Sequence, residues 1–465
     1  MKKILSVLLS LLLMLTLCAP AYAETLVYRG VIPWDMTQLF SSSYPDITLE
    51  NQWGNNTESF ISQALTNRDA TFDVLVIGAN YVYSRMLDKG LLGDLSASEA
   101  LTADMLTLDP AILSLLTDAD DRLRAYPANI SLSQWRINEG FWRLIFGDQP
   151  IPSTMEELLT AWLAYETDYA DDYPGLDFNE NFTYEYLCER IIREYALQYE
   201  VPGEALDLNT PALRRAFELL AQINDVRKRA GKATTAEDYE NGWAEVATIV
   251  NYGSGAQVMA QRLNLDSGLA PELYGVPVVG DTPMPLAFAA GDPVKINAKM
   301  DVYVINPYSE HQEAALRLIE CAALADSDPY VTYAIHPQWT EPVLNPNYDL
   351  FMGIYLEEKA SLEARLAEAD LADAADLRDE LALCQYHIDQ LERIRWAIST
   401  EELEAYRAIS SQLDFHVQSV WTGSGTNAQS VIRDVCARYA AGTMSLDLFL
   451  QDLANRMSMI ILENQ

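Results

Sequence analysis

The chain has 465 residues, 49% of them apolar, and carries 31 Lys plus Arg against 68 Asp plus Glu, a net charge of -37. Such a length exceeds one ordinary core, so two lobes are expected, and only 21 Gly and 20 Pro exclude a fibrous or largely disordered chain. So acidic a surface repels nucleic-acid phosphates and anionic lipid. The sequence contains no local Lys/Arg cluster to offset it, so the expected ligand is neutral.

Residues 1–23 read as an export signal, with MKK as the positive region, ILSVLLSLLLMLTL as the apolar region and Ala21-Tyr22-Ala23 as the cleavage site. The apolar part is shorter than the ~20 residues of a membrane span. The reading is therefore a soluble exported protein, extracellular or at the cell surface, or periplasmic if the cell has two membranes. Cys18 offers the alternative of a lipidated N-terminus, although Leu17 stands where a lipoprotein signal has a small residue. Cleavage after Ala23 leaves 29 basic against 68 acidic residues, or -39. Cys188, Cys321, Cys384 and Cys436 remain, widely spaced and without a C-x-x-C pair, which excludes zinc and thioredoxin-like readings. Three of them, Cys188, Cys321 and Cys436, fall in helical patterns as small buried hydrophobes.

After the leader, residues 25–29 (TLVYR) and 47–50 read as strands, 58–65 as a short helix and 72–77 as a strand apolar on both faces. Strands alternating with helices predict a parallel sheet covered on both sides. Beyond Tyr81 the period changes, with Tyr83, Met86, Leu87 and Leu91 at helical spacing and Gly90 closing the helix. The junction Gly78-Ala79-Asn80-Tyr81 thus falls at the carboxyl end of a parallel strand, where open α/β sheets place ligands. Helices are predicted at 155–168, 182–199 and 211–230, and a brief strand at 248–250 runs into Asn251-Tyr252-Gly253-Ser254-Gly255, a second junction of the same kind. Strands at 276–279 and 302–305 precede a helix at 311–325. In the charged stretch 355–398, Leu377, Leu381, Cys384, Ile388 and Leu391 recur at alternating spacings of four and three, a helix-packing seam. That stretch is either one helix of roughly 60 Å or a hairpin turning at 372–375. A final helix is predicted over 445–462.

Five passages in this order resemble the extracellular solute-binding proteins of ATP-driven (ABC) importers, sugar-binding family 1, which includes maltodextrin-binding proteins. They are TLVYRG with YPDITLENQW, FDVLVIGANYVYSRMLDKGLLGDL, YPANISLSQWRINEGFW with IPSTMEELL, VYVINPYSEHQEAALRLIECAAL, and TMSLDLFLQDLANRMSMIILE. The resemblance implies an α/β, two-lobed periplasmic-binding-protein-like fold (type II) with a hinge between lobes, 355–398 being an inserted long helix or helical hairpin. By analogy the N-lobe takes 24–127 and 273–310, and the C-lobe takes 128–272 and 311–465. It further implies a monomeric receptor that captures a small neutral solute, an oligosaccharide or else a peptide, in an interlobe cleft and delivers it to the permease's membrane subunits.

Within that frame Asn80 and Tyr81 project from one lobe and Asn251 and Tyr252 from the other. Amides match hydroxyls, and aromatic faces stack on sugar rings. Trp34 and Trp53, after the first and second strands, and Trp421, in VWTGSGTN, are further ligand-binding candidates. No catalytic residue, metal site or cofactor is indicated. There is no G-x-S-x-G, H-E-x-x-H or P-loop, the four histidines lack ligand spacing, and Asp177-x-Asn179-x-Asn181 fails as a calcium loop because Phe182 replaces its glycine. The competing reading, a secreted carbohydrate-active enzyme, needs two carboxylates positioned in a cleft.

Overall fold

The computed structural model describes residues 24–52, 58–179, 183–201, 204–232, 247–255, 272–277, 282–324, 336–345, 348–368, 373–393, 395–400, 403–404, 407, 410–415, 419–423 and 427–464. The leader with Cys18, and Trp53, lie outside the described residues. Strands β1 (Glu24–Arg29), β2 (Ile47–Asn51) and β3 (Val74–Gly78) are parallel, with β1 central. Each leads into a helix, Trp34–Ser43, Glu58–Thr66 and Tyr81–Asp88 respectively. The turn out of β1 needs Gly30, whose φ is +109° and where a Cβ would stand 2.7 Å from the Cβ of Val76.

Downstream come β4 (Tyr126–Ile137), β5 (Leu176–Asn179) and β6 (Ala247–Gly255), then the short β7 (Glu272–Leu273), β8 (Val276–Pro277) and β9 (Thr282–Pro283). They are followed by β10 (Ile296–Ile305), β11 (Val343–Leu344), β12 (Trp396–Ile398) and β13 (Leu413–Phe415). The main sheet has the order β2-β1-β3-β10-β4-β6-β5, with β13 also on β10 and β9 on β4. It is mixed rather than all parallel as the alternation predicted. The reason is that β4 and β10 are long strands running antiparallel to each other and to β6 and β3 respectively. β6 also continues to Gly255 instead of ending at Val250, because β4 offers it a pairing edge from Ile137 back to Leu132.

Two large apolar clusters define the lobes. The first holds Leu26, Phe40, Leu75, Ile130, Val304 and Leu318, and the second holds Trp135, Phe141, Trp162, Ile192, Phe217 and Phe449. The described chain passes between them within β4 and between Phe288 and Ile296, and on either side of residues 416–418 Phe415 packs with the first cluster and Val420 with the second. Helix Gln312–Leu324 packs in the first cluster, and Met284 and Phe288 pack in the second. The cores therefore divide the chain differently from the 273–310 segment taken from the family analogy. Within the first core's stretch of the two strands, the β4–β10 register shifts: Asp301 faces Asn129 but Val302 faces Pro127. That is a bulge beside a residue with no N–H to give.

The stretch read as a long helix or a hairpin is a hairpin, helices Tyr348–Glu368 and Asp373–Arg393. It closes on its own small cluster, in which the seam residues Leu377, Cys384, Ile388 and Leu391 meet Tyr348, Met352 and Leu362. All four described cysteines are free and buried, and burial pushes the thiols of Cys188 and Cys436 well up, as befits packing residues. No described helix is long and apolar enough to cross a membrane.

The second lobe also encloses a charged knot. Arg227 donates from Nη1 to Glu166 at 2.5 Å and forks onto both oxygens of Asp177 at 2.7 and 3.0 Å, while Lys232 reaches Glu166 at 2.8 Å. Because the Glu166 and Arg227 side chains are only 1% exposed, removing Arg227 leaves the buried Asp177 carboxylate without its cation and leaves Glu166 only Lys232. Arg227→Ala is expected to cost about 3–5 kcal/mol of stability, measured by urea denaturation followed by circular dichroism.

Candidate functional site

Successive residues of a strand face opposite sides of its sheet. On one side, β10 presents Asn297, Lys299 and Asp301, and β4 sets Ser133, Ser131 and Asn129 directly opposite them. Along this side Tyr303 and Ile305 belong to the first core and Trp135 and Ile137 to the second. Between them lies a polar belt in which Lys299, Asp301, Asn129 and Ser131 are half-buried and Asn297 and Ser133 are buried. The other side of the same strands is apolar and closed, with Ala298, Met300, Ile130 and Leu132 all buried. Among the described residues, partly exposed polar groups of these two strands therefore lie between the cores on one side of the sheet.

The Gly78–Tyr81 junction borders this belt. Gly78 pairs with Asp301, and the Ala79 N–H donates to the Met300 carbonyl at 2.8 Å. Asn80 is buried, and its Oδ1 accepts from the N–H groups of Val82 at 2.9 Å and Tyr83 at 3.2 Å, which makes it the cap of the following helix. Tyr81 is half-buried and packs against the second core, although its helix belongs to the first lobe.

Helix Tyr184–Tyr199 supplies the facing wall. Tyr252 of β6 meets Trp135 edge-on, with centroids 5.1 Å apart, and its hydroxyl donates to Glu194 Oε1 at 2.8 Å. The Arg190 guanidinium lies 3.5 Å from the centre of the Tyr252 ring and donates to the Tyr186 hydroxyl at 2.9 Å. Arg193 pairs with Glu189 at 3.1 Å and donates to the carbonyls of Thr422 and Gly423 at 3.1 and 3.2 Å, tying this wall to the segment after β13. Lys295 donates to the carbonyls of Leu197 and Gln198, closing the helix at its C-terminus.

The electrostatics follow from burial. Desolvation raises the carboxyls of Glu194 and Asp301, against the opposing pull of Arg190 and of the Asn129 side chain respectively. Burial, reinforced by Arg193 and Arg190, lowers the Lys299 ammonium to about 8. Burial and the Glu194 carboxylate push the Tyr252 phenol upward, so it stays protonated and donates.

The remaining sequence candidates lie elsewhere. Trp34 is 73% exposed at the start of its helix, and Trp421, 2% exposed, is packed into the second core. Asn251 sits opposite Arg136 on the other side of the sheet from Tyr252 and accepts from the Thr248 hydroxyl at 2.7 Å. Strand alternation thus separates a pair that the loop reading had placed together. The sequence reading found no basic cluster, yet Arg190, Arg193 and Lys299 converge here from a helix and a strand about 100 residues apart. A trace of it was visible in INAKMDVYVI, where Asn297, Lys299 and Asp301 alternate with apolar residues. No group of three or more metal-binding side chains occurs among the described residues.

This architecture is the two-lobed fold of solute-binding proteins. Among solved structures, the chain is similar to maltose-bound MalE3 of T. maritima, at TM-score 0.52 and 14% identity over 94% of this chain and 100% of that one. It is likewise similar to an ABC-transporter solute-binding protein of Agrobacterium radiobacter K84 in complex with ribitol, at TM-score 0.53 and 12% identity over 94% and 98%. A chain described as a de novo designed esterase also matches, at TM-score 0.53 and 14% identity over 95% and 99%. No family model and no curated protein matches the sequence.

Because Asn80 caps its helix through Oδ1, Asn80→Ala is expected to lower stability by about 1 kcal/mol, while Asn80→Asp, which keeps the acceptor, should lose much less. Urea midpoints of the two variants against the parent provide the measurement.

Proposed function

We propose that this protein is an exported receptor that captures a small polar, sugar-like solute between its lobes and hands it to the membrane subunits of an ABC permease. The carrying observation is the polar belt of Asn129, Ser131, Lys299 and Asp301 between two apolar cores on one side of a shared sheet. Its groups suit a hydroxylated molecule, since ammonium and amide donate while carboxylate and hydroxyl accept. Tyr81 and Tyr252 add aromatic surface from opposite lobes. The maltose and ribitol held by the two similar binding proteins support the ligand class, and the export signal and the family resemblance support the permease partner. Binding would close the lobes about the chain crossings.

A second reading, a carbohydrate-active enzyme, gains from Glu194 and Asp301, two half-buried carboxyls flanking the belt. Against it, Glu194 is engaged by Tyr252 and Asp301 by Asn129, and Lys299 lies close to both.

The deciding experiment is a calorimetric and thermal-shift screen of sugars and polyols, run beside turnover assays on the same glycans. The receptor reading expects saturable stabilisation, a smaller radius of gyration by X-ray scattering on binding, and no product. Hydrolysis without a stabilising ligand would replace it with the enzyme. Tyr81→Ala is expected to weaken binding by about 1 kcal/mol, roughly fivefold, with the unliganded protein still folded.

A further inference from the structure

The polar atoms of the belt that lack partners are unequally divided between donors and acceptors. Trp135 and Ser133 are each 2% exposed, and among the described residues the Trp135 indole Nε1 and the Ser133 hydroxyl have no hydrogen-bond partner. Arg190 Nε, buried beneath its otherwise engaged guanidinium, has none either. Nor is the half-buried Lys299 ammonium assigned any hydrogen bond or ion pair among the described residues. The acceptor on the same side in this position is Asn297 Oδ1. Buried donors without acceptors are costly, and these lie on adjoining positions of β10 and β4 and on the facing helix. A group rich in acceptors would satisfy them together.

The charges that face Lys299 limit how negative that group can be. Arg190, Arg193 and Glu194 approach from helix Tyr184–Tyr199, and Asp301 approaches from its own strand. Arg193 is paired with Glu189, which leaves two cations, Lys299 and Arg190, against Glu194 and Asp301. Burial raises both of those carboxyls, and each accepts a hydrogen bond from a neutral partner, Tyr252 or Asn129. The balance admits a single negative charge and disfavours a phosphate dianion.

Resting on the cleft reading above, we propose that the solute is an acidic sugar of the uronic-acid kind, with its carboxylate seated on Lys299 beside Arg190 and its hydroxyls along the belt. A bound carboxylate holds the Lys299 proton in place. In the free protein that ammonium loses its proton at about 8, so affinity falls as pH rises through that value and is about tenfold weaker at pH 9 than at pH 7.

Calorimetry with galacturonate, glucuronate and their dimers, beside galactose, glucose, maltose and ribitol, tests this, with galactose 6-phosphate as the dianion. The expected result is binding of the uronates, with the stated pH dependence, in preference to their neutral and phosphorylated counterparts. Lys299→Met should weaken uronate binding about ten- to hundredfold, and Lys299→Arg should restore most of it, which separates a charge effect from misfolding. Binding of neutral sugars in preference to uronates, or of the sugar phosphate above both, would overturn the acidic-sugar assignment and leave the receptor reading standing. Binding of none of these probes would count against both.

Discussion

The antiparallel pairing of β4 with β10 is the constraint on which the rest of the molecule depends. Two lobes with separate cores could be joined by loops, and their relative position would then be free. Here one lobe's sheet continues into the other's, because β4 begins among Tyr126 and Ile130 and ends among Trp135 and Ile137. The hydrogen-bonded ladder therefore sets the orientation of the cores, and strand alternation decides which side chains stand between them. One side closes as apolar core, and the other, among the described residues, keeps amides, hydroxyls and charges.

Helix Tyr184–Tyr199 carries the second lobe's share of that chemistry. Its outer turns place Arg190, Arg193 and Glu194 at helical spacing against the belt, while Cys188, Ile192 and Tyr195 bury on the core side. Arg193 also reaches the carbonyls of Thr422 and Gly423, so the segment that makes one of the crossings is anchored on the same helix. The charged knot around Arg227 belongs to a different layer of the lobe and stiffens it from within. A buried ion pair adds little net stability but punishes any rearrangement that separates its members.

Most of the fold was legible because its signals are local. The helices at 155–168, 211–230 and 311–325 announced themselves by period and cap, and the seam from Leu377 to Leu391 foretold a packed partner without saying which. What could not be read was anything decided by pairing. Asn251 looked like a loop residue beside Tyr252 until β4 provided an edge that drew both into a strand and turned them to opposite sides. Asn80 looked like a ligand amide and serves as a helix cap, a role that the same strand-to-helix position favours. Lys299 was invisible as part of a basic site because its neighbours in space are far away in the chain, and net charge says nothing about where a few cations gather.

The bulge at Asp301 and Pro127 gives the ladder a local point of compliance. A ladder bends most easily where its register is already broken, and this break falls beside Asn129 and Asp301, within the belt and on the first core's stretch of the two strands. Under the proposed function, a solute seated on the belt would press on the residues that flank that break, so binding and any bending of the ladder there would draw on the same few side chains.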